Sequence, residues 1–178
     1  MQRVIAVYGI IGGVIIAAGL LIGINFVPHG GALGMAIGYL TMLIAMSMVF
    51  VGVKRYRDTV QGGVIRFWRA LGIGMAIALV ASIFYVLAWE VYLYQTNYAF
   101  ADVYIAQSLQ AMHADGKPVA EIAAAAKQLD AFRVQYSNPA LRALITLSEI
   151  APVGLIVSIV SAAVLRNSRA FPAVAPKG

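Results

Sequence analysis

The chain has 178 residues, 62% of them hydrophobic and 11% charged, with a formal charge of +6 and a mean hydropathy of +0.86. Soluble domains carry about 45–50% apolar and about 25% charged residues, so this composition excludes an ordinary soluble domain and fits one membrane domain over residues 1–178. Cysteine is absent, which excludes disulfides, thiolate metal sites and cysteine nucleophiles, and the basic balance sits beside apolar spans, where it meets anionic lipid rather than nucleic acid.

Four apolar segments, residues 4–27, 31–53, 67–93 and 143–165, are each long enough for a transmembrane helix, which needs about 20 residues at 1.5 Å of rise. The first begins after Arg3. Its apolar run exceeds the ~7–15 residues of a signal-peptide core, and no small-x-small cleavage site follows it, so a retained helix is expected. Pro28-His29-Gly30 makes a short turn into the second segment. Met35, Met42, Met46 and Met48 in that segment read as packing residues rather than a metal path.

The link between the second and third segments is basic, with Lys54, Arg55, Arg57, Arg66 and Arg69 opposed only by Asp58. It lacks the Gly, Lys and Ser/Thr spacing of a phosphate loop and reads as a topology anchor, with lipid-headgroup binding as the other reading. Arg3 before the first segment and Arg166, Arg169 and Lys177 after the fourth lie on the same side. The segment from Tyr94 to Arg142 balances Lys117, Lys127, Arg133 and Arg142 against Asp102, Asp115, Glu121 and Asp130. By the positive-inside rule, both termini and the basic link are expected in the cytoplasm and residues 94–140 outside it. Tyr85, Trp89, Tyr92, Tyr94 and Tyr98 mark the outer end of the third span, and Phe67 and Trp68 its inner end, with Tyr56 in the adjacent link, as an aromatic belt would.

No Gly or Pro occurs from Met75 to Ala114, so the third span either continues outward as one helix or bends near Gln95–Asn97. Asp115-Gly116-Lys117-Pro118 is a turn, with His113 beside it as a solvated residue. A second outer helix fits Val119–Tyr136, where Ile122, Ala126, Leu129, Phe132 and Tyr136 form one apolar stripe. Ser137 or Asn138 caps the fourth span, with Pro139 in its first turn. The outer region thus reads as a helical hairpin standing on the bundle, its stripe packed on itself, on lipid headgroups or on another protein.

Small residues recur at every fourth position in all four spans: Gly9, Gly13 and Ala17; Gly30, Gly34 and Gly38; Ala70, Gly74, Ala78 and Ser82; Gly154, Ser158 and Ala162. Such stripes let helix backbones approach in a bilayer. The expectation is an all-α, four-helix membrane bundle.

Glu90 and Glu149 are the acids within the spans. A charge at a span's centre costs at least ~2.5–3.5 kcal/mol, so each needs a partner, a proton or a function. By helical rise, Glu90 lies ~31 Å above Arg69, and Glu149 and Arg142 lie ~25 Å and ~36 Å above Arg166, all in the outer half. One reading pairs Arg142 with Glu90, with Glu149 below them. The other has Glu149 protonated or sharing a proton with Glu90. Pro152 sharpens interest in Glu149, because it cannot donate to the carbonyl of Ser148 and should kink the helix there. Glu149 points ~140° away from Gly154 on an ideal helix, so acid and small stripe face different neighbours unless that kink reorients them. His29 and His113 are too few and too far apart for a metal cluster, and no nucleophile–base pair is visible. The expectation is a non-enzymatic protein without cofactor or metal.

Tyr8-Gly9, Gly38-Tyr39, Gly52 with Tyr56-Arg57-Asp58, then Gly63, Phe67, Ala70 and Gly74, and the stretch from Glu149 to Leu155 together resemble a bacterial membrane-protein family of unknown function, domain family 4199. The resemblance covers nearly the whole chain. It implies four transmembrane helices with a large outer segment between the third and fourth, and it carries no activity, substrate or catalytic residue. On these grounds the chain is expected in a bacterial inner membrane. Its partners would be the lipid bilayer and either a second copy or another membrane or periplasmic protein. A small proton- or ion-linked carrier using Glu90 and Glu149 is the alternative.

Overall fold

A computed structural model describes residues 1–26 and 31–172, with side chains from 1–24 and 34–172. The expected turn Pro28-His29-Gly30 and the terminal Lys177 lie outside the described residues. Among those described, the chain is all-helical: α1 Gln2–Phe26, α2 Gly31–Val60, α3 Phe67–Gln95, α4 Phe100–Ala114, α5 Val119–Ser137 and α6 Pro139–Leu165. Four candidate membrane spans, Gln2–Ile24, Gly34–Val60, Phe67–Gln95 and Pro139–Leu165, are long and apolar enough to cross a bilayer. α2 runs seven residues beyond the expected 53, to Val60, with Tyr56 and Arg57 of the added turns buried.

The chain divides into two compact units, Met1–Trp89 with Leu147–Gly178, and Glu90–Thr146. In the first, small residues permit close helix contact. A Cβ built on Gly9 would lie 2.6 Å from Val80, and one on Gly13 2.5 Å from the Phe84 ring, so α1 meets α3 almost backbone to side chain. The stripe on α3 meets that on α6: Gly74 faces Ser158 and Gly154 faces the Cβ of Ala78, and Ala70, Ser82 and Ala162 are buried beside them. The second stripe behaves otherwise. Gly38 is exposed with nothing within 4 Å, and α2 approaches α1 instead through Gly52 against Tyr8, Gly12 against the Ala45 carbonyl, and Thr41 against Gly19.

Met42, Met46, Val49, Val53, Ile73, Ile77 and Ile150 fill the core of this unit, whereas Met35 is exposed. Large apolar side chains also line its outside: Val7, Ile10 and Val14 on α1, Leu40, Leu43 and Ile44 on α2, and Leu79, Ile83 and Leu87 on α3 are all exposed. Contiguous apolar surface on this scale is covered in a working protein, and spans of this length place it against lipid. Of the expected aromatic belt, Trp68 is exposed, while Tyr56 and Tyr85 are buried.

In the second unit α3 ends at Gln95, as the bending alternative has it. The amide of Tyr98 donates to the carbonyl of Leu93 and that of Asn97 to Tyr94, the paired bonds of a Schellman termination with the left-handed residue at Asn97. Asn97 and Tyr98 both have positive φ, 52° and 57°. The turn at Gly116 (φ 65°) closes α4 by the same paired bonds, Lys117 to Met112 and Gly116 to His113. Pro118 then precedes α5. The expected α5 stripe is its inward side: Ile122, Ala126, Leu129 and Phe132 are half-buried and Tyr136 is buried. Phe100 and Tyr104 of α4 pack on Phe132 and Tyr136 of α5, with ring centroids 5.8–6.0 Å apart across the two helices. The side-chain carbonyl of Asn138 accepts the amides of Ala140 and Leu141, so Asn138 caps α6, and the Ser137 hydroxyl turns back to the carbonyl of Val134.

Candidate functional site

Arg142 stands in the first turns of α6, one turn past the Asn138 cap, and is 4% exposed. Its Nε and Nη2 donate to the two carboxylate oxygens of Glu90, each at 2.7 Å. This parallel fork matches the planar guanidinium to the planar carboxylate and is among the stronger ion-pair geometries. Nη1 donates to the carbonyl of Tyr136 at 3.1 Å, near the end of α5. The guanidinium also lies over the Tyr98 ring, 4.9 Å from its centroid, and 5.9 Å from that of Tyr136. A tyrosine at φ 57° is strained, and this cation–π contact holds it. One side chain thus ties the end of α3, the strained turn after it and the end of α5.

Glu149 belongs to the first unit, Glu90 and Arg142 to the second. It lies on an exposed face of α6, and its carboxylate accepts a hydrogen bond from the Tyr85 hydroxyl at 3.1 Å. Ile156, two turns along the same face, and neighbouring Leu155 are exposed too. Gly154, by contrast, is buried against Ala78, so acid and small stripe do face different ways. Pro152 is an exposed residue inside α6, which runs through it.

A second buried arginine escapes sequence reasoning. Arg57 is wholly buried. Its Nη1 donates to the carbonyls of Leu165 at 3.4 Å and Ala170 at 2.9 Å, its Nη2 to that of Phe171, and its Nε to Asp58 at 2.7 Å. A cation at a helix C-terminus satisfies carbonyls that lack intrahelical donors and meets the negative end of the helix dipole. Phe171, at φ 52°, sets its ring edge-on against Phe50, 5.4 Å between centroids. Arg57 therefore locks the end of α6 and the following turn onto α2. Counting it only among the topology charges hides this. The available signal is register: Met46, Val49, Val53 and Tyr56 precede it at three- and four-residue steps on the buried face of α2. Among the described residues no buried side-chain nitrogen or oxygen lacks a partner.

A cavity of about 390 Å³ opens in the second unit, lined by Tyr98, Ala101, Asp102, Arg133, Tyr136, Ser137, Pro139 and Arg142. Arg133 and Asp102, both in its lining, form an ion pair, Nε to Oδ1 at 2.7 Å and Nη2 to the same oxygen at 2.5 Å, with both side chains more than half exposed.

The profile of a family described as "Protein of unknown function (DUF4199)" matches residues 7–167. No curated protein and no solved structure matches the chain.

Proposed function

Since the chain belongs to the DUF4199 family, whose description assigns no activity, we propose from its own residues that it is a non-enzymatic structural or accessory protein of a bacterial inner membrane. It forms a four-helix bundle with both termini cytoplasmic and presents α4 and α5 as an extracytoplasmic helical hairpin, to a partner protein or to a second copy of itself. The observation that supports this reading is the Arg142 fork. This ionic constellation is closed on itself, with Glu90, Tyr98 and Tyr136 using the guanidinium to hold helix ends. That is what a rigid presented element needs and what a transported ion would have to disrupt. Photo-crosslinkers placed at exposed Gln107 and Gln128 in native membranes test it. Discrete adducts, to a partner or to a second copy, are expected; a hairpin that captures neither contradicts the reading.

One observation favours a second reading, a small proton-linked carrier. Glu149 lies outside the Arg142 fork on an exposed face of a candidate span, hydrogen-bonded to Tyr85. An ionisable group within a candidate membrane span is a starting point for an ion pathway. Glu149→Gln preserves shape and removes the titrating group. Equal pH-driven flux in proteoliposomes of the wild type and this variant rules the carrier out.

A further inference from the structure

The cavity in the second unit has a polarity to which the Arg142 fork contributes one wall. Arg142 forms its closed side: Nε and Nη2 are held by Glu90, and Nη1 by Tyr136. Asp102 and Arg133 belong to its exposed side. Both bonds from Arg133 end on one oxygen, Oδ1 of Asp102. The second carboxylate oxygen has no share in them. The remaining guanidinium nitrogen, Nη1, lies 3.8 Å from Asp130, an ion-pair contact that is too long for a hydrogen bond. The cavity therefore offers an acceptor of charge −1 and a donor of charge +1 side by side, with the tyrosines Tyr98 and Tyr136 as walls.

A purely anionic ligand would meet Asp102, and a purely cationic one would meet Arg133 and Arg142. A ligand with both signs satisfies both ends, and the unfavourable pairing rejects the others. Its volume lies in the ~300–1,000 Å³ range of small-molecule sites. Pro139 and Arg142 belong to the first turns of a candidate membrane span, the level at which tyrosines and lipid headgroups meet. Guanidinium edges match phosphate oxygens in pairs, and a primary ammonium donates to a carboxylate oxygen.

We propose that this cavity binds a zwitterionic phosphate ester, an ammonium-bearing phosphate of the kind that forms the ethanolamine headgroup of membrane phospholipids. The phosphate sits against Arg133 and the ammonium against Asp102. This goes beyond the accessory reading and stands without it.

The test uses the full chain in nanodiscs containing equal amounts of phosphatidylethanolamine and phosphatidylglycerol, with lipids retained after release into detergent counted by native mass spectrometry. Retention of the ethanolamine lipid over the glycerol lipid is expected. Asp102→Asn should abolish that preference while leaving total retention near wild type. Arg133→Gln should lower retention of both lipids about tenfold, the effect of losing a charge-assisted hydrogen bond. The pair is exposed and contributes little to folding, so helix content by circular dichroism should not change. A parallel arm offers soluble O-phosphoethanolamine to the lipid-free protein in detergent. Binding there without lipid preference assigns the site to a soluble ester of the same chemistry. The proposal is overturned if the wild type shows no preference and the soluble ester does not bind, or if Asp102→Asn leaves the preference intact.

Discussion

Replacing Arg142 by Gln removes the fork to Glu90, the bond to the Tyr136 carbonyl and the cation above Tyr98 at once. Taking one partner from a buried ion pair costs about 3–5 kcal/mol, because the other charge is left uncompensated. Glu90 keeps 28% of its side chain exposed and can rehydrate, which lowers the expected cost to about 2–3 kcal/mol. The loss is local to the unit Glu90–Thr146, so hydrogen exchange read by mass spectrometry in nanodiscs is the suitable assay. Amides of α4 and α5 should exchange about 30- to 160-fold faster in Arg142→Gln, the factor that 2–3 kcal/mol implies, while peptides from 42–60 keep their wild-type rates. Glu90→Gln should be at least as damaging, since it leaves a nearly enclosed guanidinium with only Tyr136 and the two rings. The double variant should recover part of the loss, with a coupling of about 1.5–2 kcal/mol. A change below about threefold, or one spread equally over α1 and α2, refutes the reasoning.

Arg57→Gln should release the turn after α6 from α2, costing about 3 kcal/mol and lowering Tm by roughly 6–12 °C in a detergent thermal-shift assay. Arg57→Lys should not rescue it, because one ammonium cannot span the carbonyls of Leu165, Ala170 and Phe171 that the planar fork reaches. Gly13→Ala should cost about 1–3 kcal/mol by forcing a Cβ into the Phe84 ring. Gly38→Ala, with open space around it, should change stability by less than about 0.5 kcal/mol in the same assay.

The parts of the fold that depend on local chemistry are legible in the residues. Four spans follow from length and hydropathy, the α5 stripe from its period, and the Asn138 cap with Pro139 from the preferences of helix starts. The Glu90–Arg142 pair is also legible, because two opposite charges at similar depth have few other ways to be satisfied. What escapes is whatever depends on which neighbour a face meets. A small-residue stripe reads alike whether it packs, as at Gly74 and Gly154, or stands open, as at Gly38. The end of α3 lacks Gly and Pro, and Asn97 supplies the left-handed residue instead, a role its side chain tolerates but does not announce. Arg57 looks like its basic neighbours Lys54 and Arg55. Only the carbonyls of Leu165, Ala170 and Phe171, more than a hundred residues along the chain, distinguish it. Glu149 shows the same limit: its position on α6 follows from the sequence, its bond to Tyr85 does not.

The absence of native cysteine allows the central claim, a four-span chain with α4 and α5 outside the cytoplasm, to be tested with one label. Asp115→Cys, at the exposed turn between α4 and α5, and Ser168→Cys, exposed after α6, are each offered a membrane-impermeant maleimide in cells with a permeabilised outer layer and an intact inner membrane. Asp115→Cys should label at once and Ser168→Cys only after the inner membrane is opened. Labelling of Ser168→Cys in intact cells, or protection of Asp115→Cys, contradicts it.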